Sequence, residues 1–155
     1  MAAGVVMQKR MVANRWQRES WQAVAIVPDP SGEAAELRQL VLGPDVQQWL
    51  HTGFIIELFR DEAENYYLNV SADVPCVFVM WRQGDAENGM AVPKAVTMSY
   101  GEAARMMDAG EQVDNVPMPP ELREWLEGFV REYYRPEPRK RISPPSFKGA
   151  RRGGE

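Results

Sequence analysis

Few residues in this chain could do covalent chemistry, and their settings work against it. There is one cysteine, Cys76, and one histidine, His51. A thiol nucleophile needs a neighbour that lowers its pKa, so these two form the sole Cys/His candidate. Cys76 lies in the apolar run Cys76 to Trp81, where a lone cysteine acts as a small hydrophobe, and that structural reading outweighs the catalytic one. One thiolate and one imidazole cannot close a zinc site. Carboxylates cluster at Asp61, Glu62 and Glu64, a link that reads as a solvated tip because nothing near in sequence would desolvate it. Ser20, Ser71 and Ser99 lack the Gly-x-Ser-x-Gly turn of a nucleophile elbow. Gly32, Gly43, Gly53, Gly84 and Gly89 stand singly, so no loop cradles a phosphate. These patterns assign no catalytic residue, no metal ligand and no cofactor.

Residue types suited to binding are better supplied. Trp16 and Trp21 flank Arg15 and Arg18. As core, Trp21 would pack inward with Trp16 as a lid over the sheet edge; as function, aromatic and arginine side chains anchor protein interfaces. Arg139-Lys140-Arg141 centres a basic tail that could dock on an acidic partner or neutralise phosphates. The partner-binding candidates are therefore Arg15, Trp16, Arg18, Arg139, Lys140 and Arg141. For a small anionic ligand in a groove between sheet and final helix, the candidates are Arg60 and Arg82. The tail has one aromatic, Phe147, and its body is acidic, which weighs against specific nucleic-acid binding.

These side chains need elements to position them. At 155 residues the chain is long enough to bury a core without disulfides or metal, and we expect one domain over 1–136. The net charge of −4 is uneven: from Arg135 onward seven basic residues face two acidic ones, against eleven and twenty before it. Residues 137–155, rich in Pro, Gly and basic residues, have almost nothing to bury and should be disordered alone. Met1 to Met11 lacks a signal-peptide core, and no stretch approaches the ~20 apolar residues of a membrane span. With a single cysteine, these features predict a soluble protein of the reducing cytoplasm.

Phe54 to Arg82 holds the densest β-branched and aromatic content. It reads as three antiparallel strands, Phe54 to Arg60, Asn65 to Val70 and Cys76 to Arg82, with Thr52-Gly53 as a hairpin turn before them. The third run is apolar on both faces and must be covered twice. Val5 to Val12, Trp21 to Val27 and Ala91 to Met98 read as further strands, the last with Pro93 near its start; Leu37 to Leu42 is a strand or a helical turn. Ser99-Tyr100-Gly101-Glu102 is a capping box opening a helix over about Tyr100 to Ala109. After Pro119-Pro120, apolar residues at Leu122, Trp125, Leu126, Phe129, Val130 and Tyr133 predict an amphipathic helix that covers the sheet's second face. The fold expected is α+β: an antiparallel, strongly curled or barrel-like sheet of six to eight strands with two C-terminal helices.

Several segments together carry a resemblance: Arg10 to Gln17, Trp21 to Pro28, Glu57-Leu58-Phe59-Arg60, Asn65 to Val70, and Val116-Pro117-Met118-Pro119 before the amphipathic helix and basic tail. The chain resembles a proteobacterial family of small proteins encoded beside molybdenum-dependent formate dehydrogenase subunits and their accessory factors. Members are sometimes labelled molybdopterin-guanine dinucleotide biosynthesis protein A. The nucleotidyltransferases of that name open with a Gly-rich loop on a doubly wound fold, which is absent here, so the label does not carry over. The resemblance implies a context, the assembly, maturation or regulation of a formate dehydrogenase in the cytoplasm. With the usual catalytic constellations absent and a charged tail and Trp/Arg candidates present, the expected reading is a non-enzymatic accessory protein that binds a formate dehydrogenase subunit or its accessory factors. The alternatives are a small-ligand or molybdenum-cofactor handling protein, and a nucleic-acid binder acting through the tail.

Overall fold

The computed structural model describes residues 1–12, 18–29, 34–84 and 89–136. In order these form β1 (Ala2–Met11), β2 (Glu19–Pro28), β3 (Leu37–Leu42), β4 (Val46–Ile55), a 3-10 turn (Arg60–Glu62) and α1 (Ala63–Val70). Then follow β5 (Cys76–Gln83), β6 (Ala91–Thr97), α2 (Tyr100–Asp108), β7 (Gln112–Pro117) and α3 (Pro120–Tyr133). The fold is α+β and every strand pairing is antiparallel. The seven strands divide into two sheets, ordered β2-β1-β4-β3 and β6-β5-β7, and no barrel closes among the described residues. The sheets meet where β6 crosses β1, β2 and β4 and where β7 crosses β2.

The sheets separate because the segment between them is helical. Asn65 to Val70, expected as a strand, forms most of α1, and the run beginning at Phe54 stops being strand at Ile55. The alternation of Tyr66, Leu68 and Val70 suggested a strand, but the inward stripe is Ala63, Tyr66 and Asn69, at helical spacing. Asn69 completes that stripe with hydrogen bonds. It is fully buried, and its Nδ2 donates to the carbonyls of Cys76 at 2.7 Å and Met98 at 2.9 Å. A buried Asn with all its partners is stable inside a core, although it reads as polar in sequence.

Thr52-Gly53 is likewise not a hairpin turn. It lies within β4 as a bulge, since Ala3 pairs with Phe54 and Val5 with His51, leaving two β4 residues opposite Gly4. Gly53 has φ +91°, and a Cβ there would fall 2.7 Å from the Cα of Ala35.

β1 is central in its sheet and β5 in the other. On β1, Ala3, Val5 and Met7 alternate onto a fully buried face. On β5, Val77, Phe78 and Val79 are all buried, so both pleats are covered as the apolar run required. Val77 and Val79 join the core shared by both sheets, and Phe78 meets Tyr100 of α2 at 5.1 Å. Leu122, Leu126 and Val130 bury one stripe of α3 in the core that the sheets share, and α3 also packs along α1. Phe129 meets Tyr66 edge-on at 5.6 Å.

Ser99 caps α2 as expected, its Oγ accepting the Glu102 N–H at 3.2 Å. The reciprocal half of the capping box is absent: the Glu102 carboxylate takes the Thr97 hydroxyl, and Thr97 Oγ1 accepts the Ser99 N–H at 3.1 Å. β7, which has no apolar alternation, is held by Asp114. One oxygen, Oδ2, accepts the Ala23 N–H at 2.9 Å and the Trp81 indole N–H at 2.7 Å, tying β7 to both sheets.

Candidate partner-binding surface

Among the described strands, β3 is the least protected. Gly43-Pro44-Asp45 turns the chain from β3 into β4, closed by the Gly43 N–H to the Val46 carbonyl at 3.0 Å. β3 lies at the end of the four-stranded sheet, with β4 on one side and no strand on the other among the described residues. All six of its residues are exposed. The second sheet covers β1, β2 and β4, so β3 projects with both pleats toward solvent. Leu37 opposite His51 and Leu42 opposite Gln47 stand on one pleat, Arg38 opposite Leu50 and Val41 opposite Gln48 on the other, and Leu40 bulges between them. Leu37 is 57% exposed and Leu42 74%. Soluble proteins commonly blunt such edges with Lys, Pro or inward charge. Here Arg38 is the single charge and Gln39 the one other polar residue, and a bulge at Leu40 interrupts the ladder. Leu37, Leu40, Val41 and Leu42 are apolar beside a backbone edge with no further strand among the described residues.

Of the partner-binding residues expected from sequence, Arg18 is described. It is exposed at the end of the β1–β2 hairpin where the chain passes from one strand to the next, and its carbonyl accepts the Val12 N–H at 3.0 Å. Arg15, Trp16, Arg139, Lys140 and Arg141 lie outside the described residues. Trp21 is half-buried and packs against the core, stacked on Trp49 at 5.3 Å.

Arg60 and Arg82 do not converge on one groove. Arg82 is held by both oxygens of Glu111, at 2.6 and 3.0 Å, which ties up its guanidinium. Arg60 lies 4.4 Å over the ring of Tyr133. It lines an open cleft of about 720 Å³ between the start of α1 and the end of α3, with Asp61, Glu64, Tyr133, Tyr134 and Arg135. Tyr67 stacks on Tyr134 nearby at 4.6 Å. This aromatic and arginine cleft replaces the expected groove between sheet and final helix. Helical spacing in Ala63 to Val70 was the signal that could have located it.

The acidic link is not wholly a solvated tip. Glu62 turns inward and accepts from Ser99 Oγ at 2.7 Å, Asn65 Nδ2 at 2.8 Å and Arg105 Nη2 at 2.8 Å. The Ser99 hydroxyl above all, then Arg105 and Asn65, hold its carboxyl below the ordinary range against the opposing effect of burial. Ser99 is fully buried in this network, which suits a brace between α1 and α2. Cys76 and His51 do not engage each other: the Cys76 thiol donates to the Val74 carbonyl at 3.2 Å, and His51 Nε2 is buried without a hydrogen-bond partner among the described residues. Burial raises the thiol pKa and lowers that of the imidazole, neither of which favours a thiolate. Among the described residues, no group of three His, Cys, Asp or Glu side chains could hold a metal ion, and no helix is long and apolar enough to cross a membrane.

Fold and surface thus define an α+β protein of two antiparallel sheets with an open apolar strand at one edge. The chain belongs to the family described as protein of unknown function (DUF3305), whose model matches residues 2–143. No curated protein and no solved structure matches it.

Proposed function

We propose that this chain is a non-enzymatic accessory protein that binds another protein, a subunit of a molybdenum-dependent formate dehydrogenase, during assembly, maturation or regulation. The observation that carries the reading is the open edge of β3, with Leu37, Leu40, Val41 and Leu42 all exposed. Its occupant is an extended apolar segment of the partner that adds as a further strand, the backbone ladder supplying affinity and the leucines specificity. An unfinished subunit offers such segments before its own core closes. The choice of formate dehydrogenase rests on the resemblance of the sequence motifs.

The test is co-purification of a tagged full-length chain with that subunit, comparing the native sequence with the double variant Leu40→Lys and Leu42→Lys. Lysines on an edge block strand addition, and both positions are exposed, so the fold tolerates them. We expect the native chain to retain the subunit and the variant to lose it, with unchanged circular dichroism. Equal retention by the variant, or no retention by either, would refute the reading.

A further inference from the structure

We infer that two copies of this chain join edge to edge through β3, in a symmetric antiparallel pair centred on Leu37. The unpaired backbone of an edge strand is a template for a further strand, and a two-fold axis lets the same edge serve on both copies. Thr52 on β4 fixes which way that backbone points. Its N–H donates to the Glu36 carbonyl at 2.9 Å, and its hydroxyl donates to the Ala34 carbonyl at 2.7 Å and accepts the Glu36 N–H at 2.9 Å. Glu36, just before β3, thus turns its backbone groups toward β4. These groups alternate along an antiparallel strand, so the N–H and C=O of Leu37 face away from the sheet, free to bond those of Leu37 of a second copy.

The charges beside Leu37 argue for a second copy as the occupant. With Leu37 at the centre, Glu36 of each copy stands opposite Arg38 of the other. These are the positions of an antiparallel pair where side chains come closest, with Cα atoms about 4.5 Å apart, and opposite charges there attract. Glu36 and Arg38 are both exposed, and neither makes an ion pair among the described residues. On the other pleat the two Leu37 side chains, each 57% exposed in the single chain, cover one another. A slip of two residues one way would oppose Arg38 to Arg38, and the other way Glu36 to Glu36, so the charges select one register. The two four-stranded sheets then run on as one. A partner strand would displace the second copy from this edge, and that consequence alone rests on the partner reading above.

The test is sedimentation velocity of the purified full chain over roughly 1 to 200 μM, since a dimer must respond to concentration. A strand-on-strand contact lies at the small end of specific interfaces, so a monomer–dimer equilibrium with a Kd on the order of 10 μM is expected. Glu36→Arg and Arg38→Glu each set like charges opposite one another and should each raise that Kd about tenfold. The double variant carrying both substitutions exchanges the charges and should return the Kd to within about threefold of the native value. Far-UV circular dichroism reports that each variant keeps the fold. A chain that stays monomeric at every concentration, a dimer indifferent to both single variants, or a folded double variant as weak as the singles overturns the proposal. No formate dehydrogenase subunit is present in this experiment, so its failure and the failure of the co-purification are distinguishable.

Discussion

Asn69 and Cys76 exchange two hydrogen bonds: Asn69 Nδ2 donates to the Cys76 carbonyl at 2.7 Å, and the Cys76 N–H donates to Asn69 Oδ1 at 3.0 Å. The Asn side chain thereby takes the place of a neighbouring strand at the start of β5. With the further bond to Met98, one residue of α1 holds the chain ends where β5 begins and β6 finishes. Replacing Asn69 with Ala leaves buried backbone groups unpaired. We expect a loss of about 3 kcal/mol, given roughly 1–3 kcal/mol for each buried group left without a partner and incomplete additivity. The urea midpoint measures it, and a change within error would show that water enters to replace the amide.

Glu62 makes stability depend on pH in acid. Its carboxyl is held below the ordinary 4.5 by Ser99, Arg105 and Asn65, so the unfolded chain takes up the proton more readily than the folded one. The stabilisation is complete above 4.5 and is lost as the pH falls through the lowered folded-state value. Glu62→Gln should therefore unfold at lower urea than the native chain at pH 7, and the two midpoints should converge in acid. A gap independent of pH would assign the effect to packing instead.

His51 acts in a different window. Burial alone lowers its pKa from the ordinary 6.5, so the fold favours the neutral ring. As the pH drops below 6.5 the unfolded chain gains the proton first, and stability declines until the folded-state pKa is passed. Because Nε2 makes no hydrogen bond among the described residues, His51→Phe removes a titrating group at little structural cost. The native protein should lose stability between pH 7 and 5 while the variant stays level, as read from urea midpoints at each pH. Parallel curves would locate the titration elsewhere.

The elements legible in the sequence are those whose burial is apolar and locally periodic. Leu122, Leu126 and Val130 announce α3, Ser99 the start of α2, and the unbroken Val77-Phe78-Val79 the doubly covered β5. Leu37 to Leu42 could be read as a strand but not as a surface, because an apolar run looks the same at an exposed edge as in a core. Trp21 drew notice in the sequence, yet its partner Trp49 did not, since the two meet only through their separate pairings with β1. Local sequence thus determined which segments could bury apolar side chains. Tertiary structure alone decided where polar residues go inside: Asn69 ties α1 to the ends of β5 and β6, Asp114 ties β7 to β2 and β5, and Glu62 braces α1 to α2. The reason is physical, since a buried polar group is stable only beside partners that lie far away in the chain, and no local pattern records where those partners will be.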